Sequence, residues 1–321
     1  MEALLSRNYA NGTIPLARPL APGMSRINVY DPTFSDLAGV LTGVKPVTYT
    51  DCSPEKVPQL KELCEKTGLK WLLAEKFLER EIPHLRPGKR VFLIGRDIKT
   101  LRAAARAWKD PKNNERWAGM LGYPECCIRL FSKWLETMGR GPDLVEMAFY
   151  KTGKKEKLDF RLNNVCNYSS RIHHDIPVDW RNYGKYTRLN REYIFHAMHV
   201  IGWHPCSYDC RESLKKGAVI FSFMKHYAPD YAAALAAALA KPVLFWDKFR
   251  YAFIDGRLAG GRIVSPAVSW PRSLLDAKSY RSVALSEEIT AGNGKTGFFR
   301  DGRPLFISSL SPLVLNFVYK K

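Results

Sequence analysis

Gly122-Tyr-Pro-Glu-Cys-Cys-Ile128 and, about eighty residues on, Trp203-His-Pro-Cys-Ser-Tyr-Asp-Cys-Arg-Glu-Ser213 decide how this chain is read. Each places two cysteines where the residue pattern predicts the start of an amphipathic helix. Pro124 suits a first helical turn, where its missing N–H removes no bond. Cys127, Leu130, Phe131, Trp134, Leu135 and Met138 then recur at the spacing of one helical face. In the second stretch Ser207 is the expected N-cap, with Asp209 and Glu212 in the acid-favouring first turn. Cys210, Leu214, Gly217, Ala218, Phe221 and Met224 form the expected buried stripe. A helix N-terminus carries unpaired N–H groups and partial positive charge, so it favours the thiolate form of a cysteine. Two such termini meeting in space would make a pocket of four thiolates. The plainer alternative is that each cysteine is a small buried hydrophobe. Against it, four of the seven cysteines fall at two helix starts.

Composition sets the broad class. The chain has 321 residues, 46% hydrophobic and 25% charged, enough for one large domain or two smaller ones. Seven unevenly spaced cysteines do not read as a secreted disulfide framework. The amino-terminal residues lack a basic segment followed by an apolar one, and no apolar run reaches the roughly 18 residues of a membrane span. The expectation is a soluble, reduced, cytoplasmic protein with no membrane partner. Lys and Arg outnumber Asp and Glu by 50 to 31, a net charge of +19. Such an excess favours an anionic partner, either RNA or an anionic small-molecule substrate.

Taken in order, residues 1–50 are rich in Pro, Gly and small residues, and are expected to wrap the surface. Ser53-Pro54-Glu55 opens an expected helix to about Thr67, with Cys64 in the core and Cys52 in a turn. A second helix is expected over Trp71–Glu81, a turn at Pro87-Gly-Lys, and a strand over Arg90–Gly95. A helix over Thr100–Trp108 follows, with Gly95-Arg-Asp as the connecting turn. Lys151–Arg191 carries ten Lys/Arg against four Asp/Glu, interleaved with Phe160, Tyr168, Trp180, Tyr183 and Tyr186. That mixture suits either a solvated connection or a track for a nucleic-acid backbone. Cys166, His173 and His174 lie within it. Tyr193–Val200, with His196 and His199, is expected as a strand leading to His204. From Pro242 the texture turns to short strands, with hairpin turns expected at Asp255-Gly256 and Asp301-Gly302. The expected fold is α+β: a helical, cysteine-centred body over residues 1–241, and a small β-sheet or partial barrel over 242–321 packed on it.

The paired motifs carry a resemblance. Gly-Tyr-Pro-Glu-Cys-Cys followed by His-Pro-Cys-Ser-Tyr-Asp-Cys resembles an uncharacterised archaeal and bacterial family, a domain of unknown function. That family pairs Gly-Tyr-Pro-x-Cys-Cys with His-x-Pro-Cys-Ser or His-Pro-Cys-Ser. The resemblance covers roughly residues 90–265 and implies no activity, so the chemistry rests on the residues themselves.

Three readings follow from the thiols. In the first, Cys126, Cys127, Cys206 and Cys210 bind a metal, since thiolates are soft ligands that select zinc or iron–sulfur centres. Adjacent cysteines strain a tetrahedral zinc site, so a [4Fe–4S]-type cluster is favoured over zinc, in a redox or sulfur-handling enzyme. If only three cysteines bind, His204 serves as acid–base group or fourth ligand. Ser207 and Ser213 are expected to cap helices or support the ligands. In the second reading no metal is present: Cys126 or Cys206 attacks an electrophile, a neighbouring thiol resolves the intermediate, and His204 is the base. In the third, the cysteines hold a structural zinc in a basic RNA-binding or RNA-modifying protein. Gly294-Lys295-Thr296 is not a phosphate loop, because the glycine needed five residues earlier is Ile289.

Overall fold

The structure is a computed structural model and describes residues 9, 12–74, 90–110, 114–137, 141–153, 157–166, 197–259, 262–271, 275–292, 295–305 and 312–319. A two-stranded antiparallel ribbon, β1 (Thr13–Pro15) and β2 (Arg26–Asn28), leads into helix α1 (Phe34–Thr42). Thr33 caps α1 by accepting from the Asp36 N–H, and Gly43 ends it at φ 77°, a conformation glycine adopts without strain. The helix corrects the expectation of a surface wrap, because Phe34, Leu37, Ala38 and Val40 are buried in the main core.

Strand β3 (Val47–Cys52), helix α2 (Val57–Lys66), strand β4 (Lys70–Leu73) and strand β5 (Arg90–Gly95) follow. The three strands make an antiparallel sheet in the order β3-β5-β4. Trp71 is therefore in a strand, not the expected helix: pairing of Trp71 with Ile94 and Leu72 with Leu93 overrides local propensity. Residues 75–89, with the rest of that expected helix and the Pro87-Gly-Lys turn, lie outside the described residues. Cys52 ends β3 and is buried, so it is a strand residue and not a turn residue. Helix α3 (Ile98–Lys109) forms as expected but starts two residues before Thr100, with the Asp97 carboxylate accepting from the Thr100 N–H at 2.7 Å. Its Leu101, Ala104 and Ala105 pack against Val47, Val91 and Leu93.

Four more elements complete this part: α4 (Asn114–Met120), α5 (Glu125–Glu136), α6 (Leu144–Thr152) and the short strand β6 (Leu158–Asp159). After residue 196 the chain is irregular through Asp209, so residues 197–200 do not form the expected strand. Helices α7 (Arg211–Tyr227) and α8 (Pro229–Leu239) then pack on each other and on the core.

The β texture begins at Pro242 as expected. Strands β7 (Pro242–Asp247), β8 (Arg250–Ala259) and β9 (Arg262–Trp270) precede helix α9 (Ala277–Ala284). Strands β10 (Glu288–Gly292), β11 (Lys295–Arg300), β12 (Arg303–Pro304) and β13 (Leu313–Val318) follow. Together with β6 they form an eight-stranded sheet in the order β12-β11-β10-β9-β8-β7-β13-β6. Its pairs are antiparallel except β13 with β6. Asp301-Gly302 makes the expected hairpin between β11 and β12. Asp255-Gly256 does not turn the chain: it lies inside β8, where the register with β9 shifts between Asp255 and Arg257. Glycine is needed there because a Cβ would meet the Ile263 side chain at 2.6 Å.

The sheet divides the apolar residues by alternation. Val243, Phe245, Tyr251, Phe253, Leu313, Leu315 and Phe317 face the core shared with the helices. Leu244, Ala252, Ile254, Ile289 and Phe298 face a second core closed by Val283 of α9. The architecture is α+β, and the chain segment carrying β6 reaches the edge of the carboxy-terminal sheet. Phe317 is fully buried and meets Tyr208 edge-on at 5.2 Å between ring centres. Phe317→Ala is expected to cost about 3–5 kcal/mol. Urea denaturation followed by tryptophan fluorescence and circular dichroism should show one shifted transition, because Phe317 belongs to the core that helices and sheet share.

Candidate metal centre

The first cysteine segment is placed by close backbone contact. Gly122 has φ 78°, and a Cβ on it would lie 2.5 Å from the Val44 carbonyl oxygen and 2.9 Å from the Lys45 Cα. No larger residue fits against that loop. The Lys216 ammonium on α7 donates to the Gly122 carbonyl at 2.8 Å, tying this turn to the second cysteine helix. Tyr123 lies beneath the Lys45 ammonium, 5.7 Å from its ring centre, and beside Trp203 at 5.6 Å. Pro124 then takes the extended N-cap conformation, and its carbonyl accepts from the Cys127 and Ile128 N–H groups. Cys126 and Cys127 are thus the second and third residues of α5, inside its first turn.

The second segment meets the same support from the other side. A Cβ on Gly202 would approach Asp36 Oδ1 to 2.9 Å. Asp36 and Lys45 form an ion pair whose side chains are 9% and 3% exposed, and Thr33 also donates to the carboxylate. The Trp203 carbonyl accepts from Asn164, and the Tyr208 N–H donates to Thr152 at the end of α6. Ser207 is not the helix cap. Its hydroxyl turns to the Asp209 carboxylate at 2.7 Å, its carbonyl accepts from the Cys210 N–H, and α7 begins at Arg211 with Cys210 as N-cap. Asp209 consequently lies ahead of the helix rather than in its first turn.

These placements bring four sulfurs together. The Sγ atoms of Cys126, Cys127, Cys206 and Cys210 all lie within 4.8 Å of one another. Cys126 stands 4.0 Å from Cys127 and 3.6 Å from Cys210, and Cys127 stands 3.8 Å from Cys210. Adjacency does not keep the Cys126 and Cys127 thiols from facing one point. Polar donors also converge: the Cys206 N–H donates to Cys127 Sγ at 3.2 Å, and Ser213 Oγ lies 3.3 Å from the same sulfur. The Trp203 indole N–H donates to Ser213 Oγ at 2.9 Å. Ser213 therefore links the Trp203 indole to the Cys127 sulfur.

The titration directions fit one shared negative charge. Hydrogen bonds from the Cys127 and Cys206 thiols, with Ser213 adding to them, hold Cys210 well below the usual thiol range. The same sulfur contacts drive Cys127 up, and burial first, then Cys210 and Cys206, pushes Cys126 to about 11. A cation among the four would relieve that crowding and displace the remaining protons. The arrangement can hold a metal ion.

His204 is buried two residues before Cys206. Its Nδ1 donates to the Pro205 carbonyl at 3.1 Å, and burial pushes its pKa down to about 4. It is a neutral imidazole near pH 7. The other three cysteines pack in the core: Cys52, Cys64 and Cys166 are all buried, and burial raises Cys64 to about 12. His199 is also buried, while His173, His174 and His196 lie outside the described residues, as does the basic and aromatic stretch beyond residue 166. Among the described residues no helix is long and apolar enough to cross a membrane.

No protein-family model, curated protein or solved structure matches the chain. The site must therefore be read from its own geometry.

The residues missed in the sequence are Asp36 and Lys45. A Thr-x-x-Asp start to α1 was visible at Thr33, but nothing in the sequence marked a buried lysine as its partner. Lys45→Ala would strand a buried carboxylate and is expected to cost about 3–5 kcal/mol in chemical denaturation. Asp36→Asn combined with Lys45→Met should recover most of that loss. A Lys45→Ala cost below about 1 kcal/mol, the range of exposed pairs, would show that the pair does not carry the two cysteine turns.

Proposed function

We propose that Cys126, Cys127, Cys206 and Cys210 bind a single metal ion, zinc in the first instance, in a closed four-thiolate site that joins the two cysteine segments. The observation that carries this reading is the sulfur spacing. Four thiolates about 2.3 Å from one zinc stand about 3.8 Å apart at the corners of a tetrahedron. The separations of 3.6, 3.8 and 4.0 Å among Cys126, Cys127 and Cys210 straddle that value, and Cys206 Sγ lies within 4.8 Å of each. A [4Fe–4S] cluster puts each thiolate on a different iron, and the sulfurs then stand roughly 6 Å apart. The spacing therefore favours one ion over the cluster expected from the sequence. The donor set suits a soft or borderline metal, and zinc and iron both accept four thiolates.

With four protein sulfurs on one ion no coordination position remains for substrate, which is the pattern of a structural site. His204 then needs no place in the metal shell. Its hydrogen bond to Pro205 instead helps to shape the turn that delivers Cys206. The role of such a site is to hold α5 and α7 in register and to present the surface around them.

Metal analysis of the purified protein is expected to give one zinc per chain and no acid-labile sulfide. Cobalt substitution should give the strong visible ligand-field bands of a tetrahedral thiolate complex. Replacing Cys127 or Cys210 by Ser should lower zinc affinity by at least about 10-fold and lower the melting temperature of the loaded protein. A brown protein holding several irons with stoichiometric sulfide would overturn the single-ion reading in favour of a cluster.

A further inference from the structure

The four sulfurs are not equivalent. Cys127 accepts the Cys206 N–H, and Ser213 Oγ lies 3.3 Å from the same sulfur. An indole N–H can only donate, so the Trp203 bond occupies a lone pair of Ser213 Oγ, and the serine proton is available to a thiolate at Cys127 or Cys210. Cys127 is 3%, Cys206 4% and Cys210 6% exposed. Cys126 differs from all three in access, and from Cys127 in its donors as well. It is the half-buried member of the set, and its hydrogen-bond contacts are to the sulfurs of Cys127, Cys210 and Cys206, with no N–H or O–H donor among the described residues.

Hydrogen bonds to a thiolate draw charge from sulfur and lower its nucleophilicity, whereas an unbonded, accessible thiolate keeps it. Metal binding holds all four sulfurs deprotonated, so the difference in donors and access becomes a difference in reactivity. We infer that Cys126 is the reactive sulfur of the centre, an acceptor for carbon electrophiles, while Cys127 is the hydrogen-bonded anchor. This rests on the single-metal reading, because a bound ion is what ionises Cys126; in the metal-free site the negative charge is held by Cys210. The closed shell points the same way: with no open position on the ion, the accessible chemistry is at sulfur. It also separates Cys126 from Cys206, which the sequence leaves as equal candidates for a nucleophile.

The step balances without an outside oxidant or base. The Cys126 thiolate attacks an sp³ carbon bearing a leaving group; the S–C bond forms as the bond to the leaving group breaks. The leaving group departs with the electron pair, and Cys126 becomes a thioether. A thioether is a poorer ligand than a thiolate, so alkylation weakens the hold on the ion and couples the reaction to metal release.

The test uses the full-length, zinc-loaded protein, with zinc content measured first. Iodoacetamide is added below one equivalent, the modified cysteine is located by peptide mass mapping, and released zinc is followed with a colorimetric chelator. Cys126 is expected to carry at least roughly ten times the label of Cys127, with zinc released as label accumulates. Ser213→Ala, which removes a donor without touching a ligand atom, should raise the Cys127 share several-fold. Equal labelling of the four sulfurs, or Cys127, Cys206 or Cys210 reacting first, would overturn the assignment. A protein that holds no metal as purified and takes up none from added zinc would overturn the single-metal reading and this assignment with it, whereas a zinc-loaded protein in which another sulfur reacts first overturns the assignment alone.

Discussion

Two helix N-termini directed into one pocket bring partial positive charge and unpaired N–H groups together, an arrangement that is unfavourable unless something negative stands between them. In this protein the groups between them are sulfurs. Cys126 and Cys127 occupy the first turn of α5, and Cys210 takes the N-cap of α7, where serine or aspartate would ordinarily sit. A thiolate there stabilises the helix end, and the helix end stabilises the thiolate. Four full negative charges, however, cannot share such a space without a cation. Helix start and ligand set therefore depend on each other, and this mutual dependence makes the spacing of the sulfurs more informative than the presence of the cysteines alone.

The convergence also needs two chain segments about eighty residues apart to arrive together. The support is a buried ion pair on α1 and the loop after it. Gly122 rides on the backbone of Val44 and Lys45, and Gly202 lies against Asp36, so one cysteine motif begins with, and the other is preceded by, a glycine seated on the same structure. Tyr123 under Lys45 and Trp203 beside Tyr123 fill the space between. A buried ion pair adds little net stability over apolar residues of the same size, but it defines one geometry, since either charge alone would be costly. That is the property a metal site requires, where sulfur positions matter to within a few tenths of an ångström.

Much of this was legible in the sequence, for reasons that can be named. Proline before a run of helical period, and cysteines at two such starts, are local signals, and the helices form near where they point. The change of texture at Pro242 and the Asp301-Gly302 hairpin are local as well. What could not be read depends on distant partners. Trp71-Leu-Leu becomes a strand because Leu93 and Ile94 stand ready to pair with it. Asp255-Gly256 carries the composition of a turn, yet close packing on Ile263 makes it a bulge within a long strand. Ser207 looks like a cap, but Asp209 captures its hydroxyl. Adjacent cysteines suggest strain at a single ion, yet the helical turn of α5 sets the Cys126 and Cys127 sulfurs 4.0 Å apart and facing one point.

The energetic balance favours a structural metal at such a junction. Bringing together thiols separated by a loop of this length costs about 4–5 kcal/mol in chain entropy. A four-thiolate zinc site supplies about 10–16 kcal/mol in small domains. In those small domains the metal takes the place of a core; here a core exists, and Cys127, Trp203 and Phe221 belong to it together with residues from α1, α7 and the large sheet. The metal energy is thus not needed to define the fold as a whole. If a metal is bound, its energy would act on the last step, the seating of the Cys206 turn against α5, where the Cys206 N–H already meets Cys127. A site that orders one turn on a folded body can loosen without unfolding the chain, and this allows a change at a single sulfur to alter the local surface while the surrounding layers stay in place.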